Sequence, residues 1–492
     1  MSLRRSIFHG SVVLGVGECA VYGLSFVRNI ILARLLSRAD LGVAATFSMV
    51  LTVFELASKM AMGRFLVQDK EGAALPFMAT AHALQFAAGL CSTLLVVVAA
   101  APLAHVFRLQ GDVRTFQYLA LLPLFQGLTH LDVCRMERDF RYVPSTLSNV
   151  LPQAIMTAVA WPLARWLADY RAVLILLVLK GIIALLATHL LAQRPYRWGW
   201  HRAFGIRMLR FGWPLVLNGL LMFGVFHGDQ FIVASYYTMS DLAAFALAGS
   251  LATAPSFIFA RVFPSLMLPL MARVQGDVIE FRRRYRLVIQ VVCAFSAFYG
   301  VGLILGGEAV MQAMFGSKYA SSGYVLGWLA AANSLRILRM APAVAALAKA
   351  DSQNQMLSNL WRVTALVPAL AAALTRQSLW MIAATGALGE AIACVISFRR
   401  LSHRDAIPWS FSAIPAAAVL LVNGLAATGV LAGLYDLDAH VGIATAIVCA
   451  VLCGAGLTAL FPDCRTQMNR VLHECGGGKW YLSLPRLFKS SP

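Results

Sequence analysis

The sequence predicts an all-α polytopic membrane protein with about 14 transmembrane helices. We expect two six-helix lobes related by a pseudo-two-fold axis, followed by two C-terminal helices. Of the 492 residues, 60% are hydrophobic and 13% are charged, and the mean hydropathy is +0.72. A soluble chain of this length would need far more polar surface to cover its core. The second observation is a succession of apolar segments long enough to cross a bilayer, and the third is an internal repeat.

The repeat is clearest in a stretch that the chain uses twice. Residues 28–42 read RNIILARLLSRADLG, and residues 229–243 read DQFIVASYYTMSDLA. Aligned without a gap at an offset of 201, the two stretches share four identities, and several other positions carry residues of the same kind. A second echo is the Leu-Ser-Asn triplet, which occurs at 147–149 and again at 357–359. Repeats of this length indicate two halves built from the same set of elements.

A span needs about 20 mainly apolar residues to cross the ~30 Å hydrocarbon core. Fourteen segments meet this requirement, and spans four, eleven and twelve are the ones that polar residues interrupt. They lie near residues 11–35, 41–63, 77–102, 113–133, 144–166, 171–191, 208–236, 241–270, 285–306, 322–347, 357–375, 378–398, 410–433 and 440–461. The basic N-terminal residues followed by an apolar run are typical of a signal peptide. That run continues to about residue 36 without a clear cleavage site, so we interpret it as a retained first span.

Loop charge predicts the orientation. With the N-terminus inside the cell, 26 basic residues fall in alternate inside segments and eight in outside loops, as the positive-inside rule requires. Both termini are therefore expected in the cytoplasm. We divide the chain at its longest inside connection. The predicted regions are an N-lobe (1–191), a cytoplasmic linker (192–207), a C-lobe (208–400), two extra spans (401–461) and a cytoplasmic tail (462–492).

Enzymatic signatures are missing from the sequence. Residues 476–479, Gly-Gly-Gly-Lys, lack Walker A spacing, and neither GxSxG nor HExxH occurs. The predicted external loops are roughly 4–15 residues long, too short for a catalytic domain. The nine cysteines form no pair in an external loop and no CxxC motif. We therefore expect a protein that is not an enzyme and has no cofactor, metal site or disulfide framework. Its net charge of +19 is concentrated in loops, which favours membrane orientation over nucleic-acid binding.

Charges inside the spans are the remaining candidates for function. A charge at the bilayer centre costs at least ~2.5–3.5 kcal/mol, so such residues usually face a polar cavity or a partner. Cations outnumber acids here, which suits a cavity that accepts an anion. The basic residues are Arg28, Lys59, Lys180, Arg261, Arg336, Arg339 and Arg362. The acids are Glu18, Glu55, Asp229 and Glu390, with Asp132 near a span end.

Simpler roles compete with substrate binding for several of these residues. Arg28 lies close enough to the outer end of its span to snorkel. Glu55 and Lys59 are spaced i,i+4 and can neutralise one another on one helix face. Lys180 lies about ten residues from either end of its span, which makes snorkelling difficult. Under the repeat, Arg261 falls one position from the mate of Lys59, so two cations at similar depth favour one cationic cavity.

The C-terminal half offers a second group. Arg336 and Arg339 are spaced i,i+3 on one face, so they need a common anion or acid. Arg362 lies near a span end and is interpreted as an interfacial anchor. The predicted substrate-binding cations are Arg28, Lys59, Lys180, Arg261, Arg336 and Arg339. The predicted gate or coupling residues are Asp229, Glu55 and Glu390. Since Arg28 and Asp229 are repeat equivalents of opposite charge, we expect them to hold an external gate shut, unless Asp229 is merely hydrogen-bonded to a neighbouring helix.

Four segments resemble the polysaccharide flippases of the multidrug/oligosaccharidyl-lipid/polysaccharide exporter superfamily: FVRNIILARLLSRADLG, KMAMGRFLVQ, MERDFRY and PLMARVQGD. The resemblance implies two lobes around a central cavity in a bacterial inner-membrane protein. It also implies alternating-access transfer of an undecaprenyl-pyrophosphate-linked oligosaccharide from the cytoplasmic to the periplasmic leaflet, for surface or exopolysaccharide synthesis. Arg28 matches the family's first-span arginine. Lys59 and Arg261 occupy positions where related flippases carry cations, whereas Asp229 replaces an arginine in the second copy.

The resemblance further implies contact with membrane lipids and with the polymerase and chain-length machinery of the same pathway. Because the sequence has no ATP site, transport would draw on an ion gradient, the membrane potential or substrate supply. Two alternatives stay open. A drug/cation antiporter of the same superfamily would need acidic pockets, and a membrane polymerase or ligase acting on polyprenyl-linked glycans would need large loops with catalytic acids or histidines.

Overall fold

The computed structural model of the protein describes residues 3–431 and 439–466. Side chains at 3–9, 11, 54–61, 64, 110, 214, 215, 218, 439 and 440 are not among those described. Within these limits every long element is an α-helix and no strand occurs. The chain forms two compact units that meet in sequence between Ala243 and Ala244.

The first unit contains nine helices. They are α1 Leu3–Leu35, α2 Arg38–Gln68, α3 Leu75–Val106, α4 Val113–Leu119, α5 Leu121–Gly127, α6 Asp132–Arg138, α7 Val143–Leu167, α8 Arg171–Leu190 and α9 Arg202–Tyr236. Helix α7 packs between α1 and α8, α2 packs along α9, and α3 packs on α5. The α3–α5 contact is backbone against backbone: a Cβ added at Gly89 would lie 2.7 Å from the Cα of Gly127. Glycine at this position allows the close approach.

The described part of the second unit contains most of α10 and eight further α-helices. They are α10 Met239–Ala272, α11 Val278–Leu305, α12 Gly307–Phe315, α13 Gly323–Ala348, α14 Gln353–Val363, α15 Leu366–Leu374, α16 Leu379–Asp405, α17 Ser410–Leu431 and α18 Ala439–Leu460. Helix α11 is central, because it packs against α13, α17 and α18. Its fully buried residues Tyr285, Ile289 and Cys293 lie in an apolar core of this unit.

The internal repeat has a local structural counterpart. Ser37 caps α2, and its Oγ accepts a hydrogen bond from the Asp40 amide at 3.1 Å. At the same 201-residue offset, Thr238 Oγ1 accepts from the Asp241 amide at 3.2 Å. In both copies the hydroxyl also donates to the carboxylate of the aspartate. A hydroxyl cap with an acid in the first turn satisfies free amides at a helix start, so both copies encode the same helix–turn–helix. The pseudo-two-fold relation of the lobes stays a prediction.

Among the described residues, nine helices are long and apolar enough to cross a membrane. These are Val12–Leu35, Leu75–Val106, Arg171–Leu190, Met239–Ala272, Val278–Leu305, Gln353–Leu374, Leu379–Asp405, Ser410–Leu431 and Val441–Leu460. Four of the other predicted spans coincide with the long helices α2, α7, α9 and α13. The fifth, predicted at 113–133, is divided among short helices. The protein is a multi-pass helical membrane protein, and the number fourteen stays a prediction.

Two predicted spans are interrupted, and proline explains both interruptions. Span four breaks between α4 and α5, where Pro123 has no amide hydrogen to donate to Leu119 four residues earlier. Span eleven breaks between α14 and α15, where Pro368 likewise cannot donate to Thr364. Broken helices expose backbone polar groups, and membrane transporters place such breaks around buried polar sites.

Candidate functional site

Glu390 on α16 forms the centre of a buried charged cluster in the second unit. Its side chain is fully buried. Arg336 Nε and Arg362 Nε each lie 2.7 Å from Glu390 Oε1. Arg339 Nη2 lies 3.4 Å from Glu390 Oε2. One carboxylate is thus shared by three guanidinium groups from α13 and α14.

Neighbouring polar groups fix the orientation of these arginines. Arg339 Nη1 donates to Ser358 Oγ at 2.9 Å. Arg336 Nη1 donates to Asn333 Oδ1 at 3.2 Å, and the Ser256 hydroxyl donates to the same Oδ1 at 3.0 Å. These contacts connect α10, α13, α14 and α16 in one network. Planar guanidinium forks held in this way are prearranged to receive an oxyanion.

The cluster carries an excess of positive charge. Three guanidiniums meet the single carboxylate of Glu390, and burying an uncompensated charge costs several kcal/mol. Arg339 is only 8% exposed, and its Nε is buried without a hydrogen-bond partner among the described residues. A site of this composition is stabilised by binding an anion.

The cluster decides two expectations about single residues. The prediction that Arg336 and Arg339 share a common acid or anion is confirmed, and the acid is Glu390. The interpretation of Arg362 as an interfacial anchor is wrong, since its side chain is 9% exposed and bonds Glu390. Because α14 ends at Val363, one residue later, Arg362 lies at a buried helix break and not at the membrane surface. Only the distance to a predicted span end had favoured an anchor.

Arg28 lies on α1 in the first unit and extends towards α7. Its Nη1 donates to Met156 Sδ at 3.2 Å, and its Nη2 donates to Asn29 Oδ1 at 2.9 Å. Its Nε is buried without a hydrogen-bond partner among the described residues. Neither of these two contacts is with Asp229, and the Arg28–Asp229 gate stays a prediction. A thioether is a weak acceptor and leaves the charge of Arg28 largely unbalanced.

Gln153 adds a second unsatisfied group on the same face of α7. It lies three residues before Met156, about one helical turn away. Its side chain is 1% exposed, and both atoms of its amide have no partner within the described part of the chain. Unpaired buried polar atoms are rare and costly. The α1–α7 interface therefore combines an unbalanced cation with an unsatisfied amide, an arrangement suited to a polar or anionic group.

Lys180 on α8 lines a cavity of about 300 Å³ within the first unit. The cavity is rich in hydrogen-bonding groups. Its polar lining includes Gln85, Gln126, Thr129, His130, Glu137, Ser145, Ser148, Asn149, Lys180 and Thr188. Its volume is at the lower end of the range typical of small-molecule sites.

An apolar cavity of about 350 Å³ lies in the second unit, between α11, α13, α16 and α17. Leu335 and Ala391 line it, and each is the chain neighbour of a member of the charged cluster, Arg336 and Glu390 respectively. Trp328 also lines it and stacks on Trp380, with ring centroids 5.8 Å apart. Charged and apolar surfaces thus adjoin on the same two helices.

The structure does not test the remaining predicted residues. The side chains of Glu55 and Lys59 lie outside those the structure describes. Arg261 is exposed on α10, and Asp229 is half-buried on α9. The described residues contain no group of three His, Cys, Asp or Glu arranged to hold a metal ion. The roles of Glu55, Lys59, Arg261 and Asp229 in substrate binding and gating stay predictions.

Sequence reasoning missed the contributions of Arg362 and Gln153. The repeated Leu-Ser-Asn triplet was the available signal, because Gln153 follows the first copy and Arg362 the second by a few positions. Ser358, in the second copy, also contacts Arg339. Sequence reasoning also missed the histidines His82 and His130, which are 1% and 2% exposed. No motif links them, since they lie 48 residues apart in the sequence.

Comparisons with solved structures identify the fold. The chain matches "Lipid II flippase MurJ, inward closed conformation" with a TM-score of 0.71 and 10% identity, over 92% of this chain and 98% of that one. It matches an inward-facing multidrug resistance MATE family transporter of the MOP superfamily with a TM-score of 0.60 and 14% identity, over 81% of this chain and 98% of that one.

Sequence relatives point the same way. The succinoglycan biosynthesis transport protein ExoT of Rhizobium meliloti (strain 1021) is 21% identical over 324 residues, 65% of each chain. The lipopolysaccharide biosynthesis protein WzxC of Escherichia coli (strain K12) is 22% identical over 379 residues, 75% of each. The match thus spans slightly less than two thirds of ExoT.

The profile of the family described as "Polysaccharide biosynthesis protein" matches residues 31–323, more than half of the chain. That match includes all of helices α2 to α12 and both hydroxyl caps, Ser37 and Thr238. The two relatives, named for succinoglycan and lipopolysaccharide biosynthesis, agree with this family, and the solved structures show that the chain has the fold of MurJ and MATE proteins. The chain belongs to the polysaccharide biosynthesis protein family.

Proposed function

We propose that the protein translocates an undecaprenyl-pyrophosphate-linked oligosaccharide from the cytoplasmic to the periplasmic leaflet by alternating access. The observation that carries this proposal is the excess of positive charge at buried positions. Three arginines surround the single carboxylate of Glu390. Arg28, in the other unit, forms no ion pair among the described residues. An interior of this kind accepts an anion and rejects a cation.

A pyrophosphate suits these groups chemically. It carries about two negative charges and several acceptor oxygens, and arginine binds phosphate through two parallel N–H donors. When a diphosphate arrives at the cluster, it replaces part of the contact that each arginine makes with Glu390. Glu390 then serves as an internal counter-ion that holds the arginines in place between transport events. We propose this counter-ion role for Glu390 in place of the gate or coupling role predicted from the sequence.

The apolar cavity suits the lipid part of the same substrate. It adjoins Arg336 and Glu390 through their neighbours Leu335 and Ala391. A polyprenyl chain gains about 25 cal/mol per Å² of apolar surface removed from water. One substrate that is charged at the head and apolar along the chain can therefore use both surfaces. The solved structure with a similar fold is likewise named for a lipid, as a lipid II flippase.

Energetics and orientation complete the proposal. A net anion moving outward gains ~2.3 kcal/mol per charge per 100 mV from an inside-negative potential. Lys59, Lys180 and Arg261 are proposed to extend the cationic path. Asp229 and Glu55 are proposed as gate residues. Both termini and the 192–207 linker are proposed to be cytoplasmic, with polysaccharide polymerase and chain-length proteins as partners in the same membrane.

Binding to the purified protein in detergent tests the proposal. The ligands are undecaprenyl pyrophosphate, undecaprenol as the uncharged control, and ethidium as a cationic drug. We expect binding only of the pyrophosphate, weakened at least tenfold, about 1.4 kcal/mol, in Arg339→Met. Preferential ethidium binding would instead support a cation antiporter. Equal binding of the pyrophosphate and undecaprenol would show that the cations do not recognise the head group.

A further inference from the structure

The connection after α8 is fastened to the rest of the first unit by an unusual set of bonds. The Asp132 carboxylate accepts from the amides of Gln193 and Arg194 at 2.8 and 3.2 Å. Its other oxygen accepts from Arg135 Nε at 2.6 Å. The Arg194 guanidinium points away and donates to the Ala73 carbonyl at 2.5 Å. The start of the 192–207 linker is therefore fixed at the backbone level.

His130 holds the same segment with both of its ring nitrogens. Its Nε2 lies 2.9 Å from the Arg194 carbonyl oxygen, so Nε2 must carry the hydrogen and donate it. Its Nδ1 lies 3.1 Å from the Asp132 amide nitrogen, so Nδ1 must be the acceptor. Only a neutral ring can make both bonds, because an imidazolium has two donors and no acceptor. The backbone thus selects one tautomer of neutral His130.

His82 repeats this arrangement with the opposite tautomer. Its Nδ1 lies 3.2 Å from the Arg197 carbonyl oxygen, which requires an Nδ1–H donor. Its Nε2 accepts from the Leu131 amide at 3.2 Å. Two histidines from different elements thus hold two linker carbonyls, three residues apart, and each is neutral for the same reason.

Aromatic packing brings a third histidine to the group. The Tyr196 ring, in the linker, lies 4.3 Å from His82, 5.4 Å from His130 and 5.0 Å from His189 between ring centroids. His189 Nε2 donates to the Leu128 carbonyl at 3.0 Å. Three imidazoles therefore surround one linker side chain.

We propose that His82 and His130 form a pH-sensitive latch that holds the linker when both rings are neutral and releases it when they are protonated. Protonation turns each accepting nitrogen into a donor that faces an amide N–H, which breaks two bonds and adds a repulsion. It also places positive rings close together, since the His82 and His130 centroids are 4.9 Å apart. Both effects favour release of the linker.

The surrounding charges leave this preference for the neutral state in place. Asp132 is the nearest acid, but its oxygens are occupied by Arg135 and two linker amides. His189 on α8 adds a third titratable ring beside His130. On the far side, His130 lines the cavity that also contains Lys180 and Glu137, which bring one charge of each sign. Tyr196 contributes a neutral ring at these pH values.

The sign and size of the effect follow from linkage. When the linker is released, the two histidines that held it titrate near pH 6.5. When the linker is latched, each ring is held neutral. A group that loses proton affinity on latching stabilises the latched state above pH 6.5, and the stabilisation disappears as the pH falls. Between pH 7.5 and 5.5 the latching equilibrium weakens about tenfold per histidine, and about a hundredfold for two independent ones.

The latch has a direct mechanical consequence. The linker continues into α9, which packs along α2. Helix α2 also carries Lys59, one of the predicted cavity cations. A fixed linker holds the beginning of α9 against the first unit, and a released linker allows that end to move. The inference depends only on the described contacts and holds for any substrate.

Amide hydrogen exchange of the full-length protein in detergent micelles tests the latch. The reporters are peptides that cover 128–136 and 193–200, where the amides of Leu131, Asp132, Gln193 and Arg194 donate the latch bonds. After correction for the intrinsic pH dependence of exchange, we expect protection in both peptides to fall at least tenfold from pH 7.5 to 5.5. Unchanged protection in the wild-type protein would overturn the proposal.

Variants separate the latch from general acid sensitivity. In the double variant His82→Gln/His130→Gln, which cannot titrate, protection in both peptides should no longer depend on pH. The matched control is His105→Gln, at the opposite end of α3, which should keep the wild-type pH dependence. A double variant with the wild-type pH dependence would contradict the assignment. If the double variant is not recovered folded, the same comparison with His130→Gln alone should show a reduced pH dependence.

Discussion

Arg28 and Met156 meet in the first unit, where the guanidinium donates to a sulfur at 3.2 Å and to no carboxylate among the described residues. Sulfur neutralises no charge, so the contact orients the arginine and leaves most of its electrostatic demand unmet. This differs from Arg336, Arg339 and Arg362, which share Glu390. Arg28 is therefore held in a different way from the three arginines of the Glu390 cluster.

Replacing Arg28 should abolish export without loss of protein. We expect Arg28→Ala to lower export at least tenfold, because a partly buried cation that contacts no carboxylate among the described residues is lost. Arg28→Lys should restore export only in part, since an ammonium lacks the planar fork. Export is measured as surface polysaccharide in cells, with the protein level checked by immunoblot. Arg171→Ala, at a side chain 67% exposed, is the control, and full export in Arg28→Ala would exclude a substrate role.

Glu390 should be essential for stability. Glu390→Gln removes the acid that the three arginines share, and breaking a buried ion pair costs about 3–5 kcal/mol. We expect a clear loss of thermal stability in detergent, followed by tryptophan fluorescence. Glu308→Gln, at an exposed acid of α12, should change stability little. Adding Arg339→Met to Glu390→Gln should recover part of the loss, and no recovery would show that the excess charge is not the cause.

The glycine contact between α3 and α5 should tolerate no side chain. A Cβ at Gly89 would come 2.7 Å from Gly127 Cα and 2.8 Å from the Pro123 carbonyl oxygen. We expect Gly89→Ala to cost about 1–3 kcal/mol of unfolding free energy. Gly23→Ala on α1, where nothing lies within 4 Å of the added Cβ, should be neutral or stabilising by up to about 1 kcal/mol. Thermal unfolding of the pair measures the difference, and similar values for both would contradict the close contact.

Asp351 should contribute stability at neutral pH that disappears in strong acid. Two nitrogens of Arg400 lie 2.7 and 2.8 Å from its carboxylate oxygens, and Arg404 adds a contact at 3.3 Å. The hydrogen bonds from Arg400 hold the pKa of Asp351 below its usual value. A depressed folded-state pKa gives full stabilisation above about pH 4, lost as the pH falls through the folded value.

Asp351→Asn should therefore lower the unfolding free energy by about 1–2 kcal/mol at pH 7. The deficit relative to the wild-type protein should shrink below about pH 4, where both proteins lack the charge. Thermal melts between pH 3 and 7 measure the difference. Asp169→Asn, at an exposed pair with Arg171, is the control and should have little effect at any pH. A deficit that is constant with pH would assign the effect to packing.

Topology is tested by reporter fusions. We expect fusions after Tyr196 and after Lys489 both to report a cytoplasmic location, because basic residues accumulate in these segments. Alkaline phosphatase and a fluorescent protein, active on opposite sides of the membrane, provide independent readouts. A periplasmic signal at either position would overturn the predicted orientation and the even number of spans.

Periodic and repeated features of the chain were predictable from sequence. The offset that matches Asp40 with Asp241 also relates two capped helix starts in the structure, and the i,i+3 spacing of Arg336 and Arg339 indicated a shared acid. Tertiary partners were not predictable. Glu390 lies 54 residues from Arg336 and 28 from Arg362, and no spacing rule brings them together. The break that buries Arg362 depends on Pro368, whose effect a hydropathy window averages away.

The duplicated hydroxyl cap, Ser37 with Asp40 and Thr238 with Asp241, also bears on how the chain is made. Each cap fixes a turn between two long helices by contacts within four residues, so neither turn needs distant parts of the chain to form. A turn encoded so locally can close as soon as its residues leave the ribosome. We therefore expect the turn before α2 and the turn before α10 to be formed already when these helices enter the bilayer. The same early step, closure of a locally encoded turn, would then occur twice as the chain is made.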